Sequence, residues 1–380
     1  MQVAVVGAGI AGLTVALALA RADFDVTIYE KAERLEEVGA GIQLSPNASR
    51  LLIEMGLESA IRTVAFAPQC LRIGDGRTLK SLARLPLGSW AESRYGAPYL
   101  LIHRADLQDI LKAAVLAEPK ATLRLKAPVA EIAESPGGIR FQVGENLAET
   151  GEADLLIGAD GLRSIVRRKL LRGPEVKPSR HVAWRATMPI DEAPKWVARD
   201  GTGLWMGSGW HLVHYPVRRG TRLNIVAIEE PPDRALGPAL PHAARPLRAL
   251  LNEVADRTPW LPWTLSTVDP AGPWSSERVA LIGDAAHAML PTAAQGGAMA
   301  IEDAVAMARL LAGPGTLAAR LKLYEDERRQ RIRSVVSMAE NNLAVYDLRR
   351  PTSDLRNTAL AMLPGALLMR RQDWLYSFNG

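Results

Sequence analysis

The chain has 380 residues, 48% hydrophobic and 23% charged, which predicts two domains or one large domain with an inserted subdomain; this composition excludes a disordered or collagen-like chain, and no run reaches the roughly 18–20 uncharged apolar residues of a membrane span. A single cysteine, Cys70, excludes an intrachain disulfide and cysteine-based zinc sites, and with a strand-like run directly after Met1 it makes a cytoplasmic protein without a leader the expectation. The net charge of +5 suits anionic ligands; with no compact Lys/Arg tract, neither nucleic acid nor membrane is an expected partner.

In chain order, Val3–Val6 reads as a buried strand that ends in glycines, Ile10–Leu19 as a helix and Asp25–Tyr29 as a second strand. Strand, glycine turn, helix, strand is the βαβ pattern of a parallel, doubly wound sheet. A helix is predicted over Pro46–Met55, then a loop-rich stretch over 61–100 with strand fragments near Leu71–Ile73 and Tyr99–Ile102. The helix Asp106–Leu116 follows, then strands near Thr122–Leu125, Arg140–Val143 and Asp154–Ile157. From about His181 to Ile228 the apolar period changes to two, which predicts an antiparallel layer. A helix at Ala243–Val254, a buried strand at Arg278–Ile282, a helix from Gly296 and long helices over Leu317–Tyr346 complete the reading. The expected class is α/β with an α+β insertion. Residues 1–175 form the first part of a Rossmann-like domain (insert 61–100), 176–270 a β-rich substrate domain, 271–345 the Rossmann-like domain's second part, and 346–380 a C-terminal helical segment.

Gly7, Gly9 and Gly12 form a G-x-G-x-x-G loop directly after a strand and at the opening of a helix. In that setting Gly7 permits the tight turn, Gly9 lets a pyrophosphate approach the backbone, and Gly12 allows close helix–strand packing. Glu30 lies 18 residues past Gly12 at the end of the second strand, placed to accept from ribose hydroxyls. The loop predicts dinucleotide binding; by itself it does not separate NAD from FAD.

Two later segments narrow the choice. Asp160-Gly161 follows the strand Asp154–Ile157, and Gly283-Asp284 follows the strand Arg278–Ile282. The second continues through Pro291 and Gln295-Gly296-Gly297 to Glu302-Asp303. Ligands of open α/β sheets bind at the carboxyl ends of strands, where an Asp can accept from a polyol and a helix opening on glycines offers N–H groups. With these three motifs in order, residues 1 to about 345 resemble the FAD-dependent aromatic hydroxylases, the single-component flavoprotein monooxygenases, and within them the nicotinate and salicylate types. Further likeness lies in Val38–Asn47, Leu85–Gly88 and Arg94–Leu107.

The resemblance implies a p-hydroxybenzoate hydroxylase-like fold, bound FAD, reduction by NADH or NADPH, and hydroxylation of a small aromatic acid by O2 through a flavin C4a-hydroperoxide. By position it assigns Gly7, Gly9, Ala11 and Gly12 to the pyrophosphate, Glu30 with Lys31 to the adenosine ribose, and Arg104 to the phosphates or ribityl chain. Asp284 would serve the ribityl or pyrophosphate region and Gly297 the flavin ring, with Asp160 and Arg163 on the face toward the nicotinamide donor. Gln43 and Thr292 stand where the nicotinate type has histidines, which widens the expected substrate to a hydroxylated benzoate or pyridine carboxylate. Another flavin-dependent oxygenase and a non-catalytic flavin-binding sensor remain alternatives, and a second copy of the chain is a candidate partner.

Along a strand His211, Val213 and Tyr215 share one face. The resemblance places His211 and Tyr215 against the substrate, where such a pair can orient a ring hydroxyl and draw off its proton. His214 and His287 read as structural, and Trp184, Arg185, Met206 and Arg218 as anion-binding candidates without a place. No metal site is expected.

Overall fold

A computed structural model describes residues 1–35, 41–135, 137–144, 146–232 and 235–379. Val38–Ala40, part of one segment that carries the resemblance, lie outside the described residues. Five parallel strands form the first sheet, in the spatial order Val279–Leu281, Leu155–Gly158, Gln2–Val6, Asp25–Tyr29 and Ala121–Arg124. The apolar runs of its three strands Val279–Leu281, Leu155–Gly158 and Gln2–Val6 are buried on both faces, as a doubly wound sheet requires. Val6 pairs level with Tyr29 on one side and Gly158 on the other, and Gly158 with Leu281. The three glycine-bearing turns therefore emerge side by side at one edge, where the chain leaves the central strand in both directions, the usual ligand crevice of such sheets.

The second large sheet has seven strands, in the order Leu261–Thr267, Lys177–Pro189, Arg222–Glu229, Trp210–Val217, Gly201–Met206, Cys70–Asp75 and Ser81–Pro86. It departs from the expected layer in two ways. Gly201–Met206 pairs in parallel with Cys70–Asp75, so the sheet is mixed. Its last two strands come from the stretch read as loop-rich: Cys70–Asp75 contains the fragment expected at Leu71–Ile73, whereas Ser81–Pro86 falls outside the expected strands, its short alternating run between Gly and Pro obscuring the period.

A two-stranded ribbon, Gly41–Leu44 with Leu100–His103, lies between the two sheets. The helix Leu317–Tyr346 spans both bodies with 30 residues, about 45 Å at 1.5 Å per residue. Near its start the Tyr324 hydroxyl donates to the Leu281 carbonyl at 3.0 Å. Near its end Ala339 and Leu343 pack on Ala183 and Ile228 of the seven-stranded sheet. Beyond it, helices Thr352–Met362 and Gly365–Arg370 close over the Ser81–Pro86 strand. A Cβ on Gly365 would stand 1.9 Å from the Arg84 carbonyl oxygen, so the backbones meet there directly. No helix among the described residues is long and apolar enough to cross a membrane.

Candidate active site

The glycine loop has the geometry its sequence predicts. Gly7 takes φ +102°, a conformation costly for any side chain. A Cβ on Gly12 would lie 1.9 Å from the Gly7 carbonyl oxygen, whereas one on Gly9 would meet nothing within 4 Å. The protein itself thus demands glycine at 7 and 12, while the open space over Gly9 fits a group from outside the chain. Gly296, opening the helix Gly296–Leu311, is likewise free of neighbours. At Gly297 a Cβ would run into the Ile42 side chain at 2.4 Å, so its smallness seats the ribbon. Ala11 faces the second motif: a Cβ on Gly283 would lie 3.1 Å from the Ala11 methyl.

Glu30 accepts from the Ala8 amide at 2.8 Å and the Ala32 amide at 2.9 Å. Its carboxylate therefore shapes the loop and keeps lone pairs for a ribose. Lys31 beside it is exposed. Sequence reasoning missed Gln108, whose buried amide donates to the Ala8 carbonyl at 2.9 Å and braces the loop from the helix Arg104–Leu116. Arg104 stands half-buried at the start of that helix. Asp106 accepts from Arg218 at 3.2 Å.

Asp284 is exposed at the carboxyl end of its strand. Asp160 accepts from the Ile165 and Val166 amides through one carboxylate oxygen, capping the helix Ile165–Lys169. Its other oxygen is buried without a partner, and burial raises its carboxyl above the usual range even against those amides. Arg163 is exposed. An open glycine cradle, a free acid and an orphaned carboxylate oxygen at adjacent strand ends fit a large polar cofactor.

A fully buried network fixes these turns. Asp303 accepts from the Gly283 amide at 2.9 Å and from Arg328 at 2.8 Å, and His287 lies 2.6 Å from it. Although burial raises the Asp303 carboxyl, His287 and Arg328 hold it down to about 2. His287 is thus structural. Asn47 reaches Glu302 at 2.7 Å and Gln295 at 3.2 Å, tying the helix Pro46–Glu54 to the loop before Gly296. We expect Asp303→Asn to cost about 3–5 kcal/mol in chemical denaturation, because Arg328 keeps a buried charge that has lost a carboxylate partner. A folded carboxyl held below its unfolded value stabilises above the unfolded pKa of about 4 and loses that contribution as pH falls toward 2. The stability gap between parent and variant should narrow over that window; a gap constant with pH would place the cost elsewhere.

The seven-stranded sheet presents three side-chain rows to the ribbon and the long helix. His211, Ile228 and Ala183 form one buried row, and Tyr215 beside Asn224 begins another. The row between them, Val213, Val226 and Arg185, is only half-buried. Ala293, in the Pro291–Ala293 turn, and Val226 both pack against the cluster around Ala183 and Ile228, and Gly41 sits on the Tyr215 ring. His211 and Tyr215 are therefore opposite ends of a hollow, four residues and about 13 Å apart along the strand, rather than a touching pair.

Arg185 lies in the hollow's floor with its guanidinium 5.2 Å from the Trp263 ring centroid. The other anion candidates fall elsewhere: Trp184 is buried in the core on the far face, Met206 is buried beside His211, and Arg218 is exposed at a strand end. No hydropathy period distinguishes Arg185 from them; only the strand register does. Burial pushes the Tyr215 hydroxyl well above its ordinary range, with Arg185 and Gln43 opposing. Gln43 accepts from the Tyr99 hydroxyl at 2.6 Å. The Thr292 hydroxyl is spent on the Ala339 carbonyl. His214 is structural: it accepts from Trp205 at 3.0 Å, and burial, with Arg72 nearby, pushes it down to about 4.

Residues 1–339 match the family model described as FAD binding domain. The chain belongs to the FAD-dependent aromatic hydroxylases. Relatives in this family include 3-amino-4-hydroxybenzoate 2-monooxygenase of Streptomyces platensis, 34% identical over 100% of this chain and 96% of the relative. The 6-hydroxynicotinate 3-monooxygenase of Bordetella bronchiseptica is 33% identical over 90% of this chain and 91% of its own. Among solved structures, a Klebsiella pneumoniae HpxO variant complexed with FAD superposes with a TM-score of 0.86 at 24% identity, over 99% of this chain and 98% of that one. That likeness shows the shared fold, and the family description agrees with the cofactor read from the three turns.

Proposed function

We propose that the protein uses NADH or NADPH and O2 to hydroxylate a small, hydroxylated aromatic acid of the benzoate or pyridine-carboxylate type. The half-open row Val213–Val226–Arg185, flanked on its two sides by His211 and Tyr215, carries this reading. The relatives named above act on a hydroxybenzoate and a hydroxynicotinate, and such acids fit an apolar hollow with one arginine in its floor.

FAD, held by Gly7, Gly9, Gly12, Glu30, Asp160, Asp284 and the Gly296 helix start, supplies hydride acceptance and oxygen activation. The chain's own residues do the rest. Arg185 binds the carboxylate, Val213 and Val226 lie side by side under one face of the ring, and Leu204 and Ile228 back the hollow against water. His211 and Tyr215 orient the ring from its two ends. Removing the hydroxyl proton leaves the ring electron-rich and ready for electrophilic oxygen.

The decisive experiment is anaerobic reduction of the bound flavin by NADH, with and without a panel of hydroxybenzoates and hydroxypyridine carboxylates, followed by air. A compound that speeds reduction and is recovered hydroxylated supports the reading; bound FAD that no pyridine nucleotide reduces overturns it. Tyr215→Phe should lower product per NADH about 10-fold or more while leaving the reduction rate within about two-fold. Unchanged product yield would remove Tyr215 from the chemistry.

A further inference from the structure

We propose that Asp347 and His181 are positioning residues that set the tautomer and basicity of His211, so that a half-buried histidine governs removal of the substrate's hydroxyl proton. The proposal rests on the proposed hydroxylation and takes His211, of the His211–Tyr215 pair, as the acceptor of that proton.

His211 Nδ1 and Asp347 Oδ1 are both buried, neither has a hydrogen-bond partner, and they face each other across 3.6 Å. Two buried polar atoms left unpaired are costly in a purely structural contact. An Nδ1–H aimed at the carboxylate interacts only weakly across that gap, and the contact strengthens to an ion pair once His211 is protonated. The arrangement is thus matched to the state after proton transfer, the condition for a contact that lowers a barrier. With Nδ1–H toward the carboxylate, the lone pair of Nε2 is left for the hollow. In the step itself the substrate O–H bond breaks, an Nε2–H bond forms, and the oxygen keeps the electron pair.

The second carboxylate oxygen of Asp347 lies 2.6 Å from His181 Nε2, and the other His181 nitrogen meets the Ser179 hydroxyl at 3.2 Å. Other groups face this trio. The Tyr346 ring meets the His211 ring edge-on at 5.1 Å, and burial pushes its hydroxyl up to about 12, so it stays neutral. Arg356 donates to the Val345 and Tyr346 carbonyls and acts on Asp347 electrostatically. Glu230 acts on His181. Across Met206, Asp75 is engaged by Arg77 and Asn357. Met206 and Ile228 flank His211 in the sheet with apolar side chains.

The bond to Asp347 holds His181 above the usual imidazole range, while burial holds His211 below it, with Asp347 opposing. Over the range where His211 titrates, His181 is therefore cationic and partly cancels the Asp347 charge. The two replacements act with opposite signs. Asp347→Asn removes the anion that favours His211 imidazolium; His181→Gln keeps a donor to Asp347 but removes the competing cation.

The test is a 15N imidazole NMR titration of the FAD-loaded protein, whose six histidines are assigned by single replacement. Parent His211 should show the Nδ1–H tautomer. Its midpoint should fall by about one unit in Asp347→Asn and rise by about one unit in His181→Gln. The acidic limb of 6-hydroxynicotinate or 3-hydroxybenzoate turnover should move in the same two directions. Shifts of the same sign, or no shift in either variant, overturn the proposal. His181 is the more accessible member, so if Asp347→Asn does not fold, an unmoved His211 midpoint in His181→Gln is sufficient to overturn it. Product formation that survives His211→Gln overturns the assignment of His211 as proton acceptor; the midpoints still decide the coupling, so the two failures are distinguishable.

Discussion

Gly9→Val should yield a folded, colourless protein. Gly9 has φ −73° and ψ −174°, a backbone any residue adopts, and a Cβ there meets nothing within 4 Å. Its stability should match that of flavin-stripped parent within about 0.5 kcal/mol, because no packed group moves. The valine branches instead occupy the space a pyrophosphate needs at the helix start, and FAD should be lost on purification. Gly12→Ala is the contrasting case. Its methyl would stand 1.9 Å from the Gly7 carbonyl oxygen, so the chain itself must yield, at about 1–3 kcal/mol or more. Absorbance near the flavin bands and denaturation of the stripped proteins separate the two. A yellow Gly9→Val protein would show that the open space lies off the cofactor's path.

Arg185→Gln should weaken aromatic acids selectively. A charge-assisted pair with a carboxylate is worth about 1.5–3 kcal/mol, so the dissociation constant of a hydroxybenzoate should rise about 10- to 100-fold. A phenol of the same shape without the carboxylate should bind the variant and the parent alike. Titration of the flavin spectrum with both ligands measures this directly. Equal weakening of acid and phenol would mean that Arg185 shapes the hollow through its place beside Trp263, without reading the charge.

The cofactor half was legible because its constraints are local. A glycine at positive φ, a glycine under a carbonyl and an acid at a strand end are each dictated within a few residues. The parallel strands and the 317–346 helix followed from unbroken apolar runs and helical spacing. The substrate half was harder. Period two placed His211, Val213 and Tyr215 on one face, but it could not show that Val213 marks the open centre and the other two the walls. That depends on which strands lie alongside, and Arg185 enters the hollow only through its pairing with Val226. Asp347 escaped notice for the same reason: it ends a helix that meets the sheet from more than a hundred residues away. The bracing by Gln108 had no signal beyond a polar residue at an otherwise apolar helix position; Glu302-Asp303 stood out in the motif, but its Asn47 and Arg328 partners did not.

The parallel junction between Cys70–Asp75 and Gly201–Met206 bears on how the chain is made. A ribosome adds roughly 5–20 residues per second, so the early strand leaves the tunnel several seconds or more before its neighbour exists. During that wait it has only the Ser81–Pro86 hairpin strand on one side. An unpaired edge in a nascent chain invites association with other chains. Arg72, which later meets Asp200, places a charge on that edge strand from the start. The sheet that forms the hollow thus waits on a strand more than a hundred residues downstream, while the Gln2–Val6 and Asp25–Tyr29 strands can pair almost as soon as they emerge.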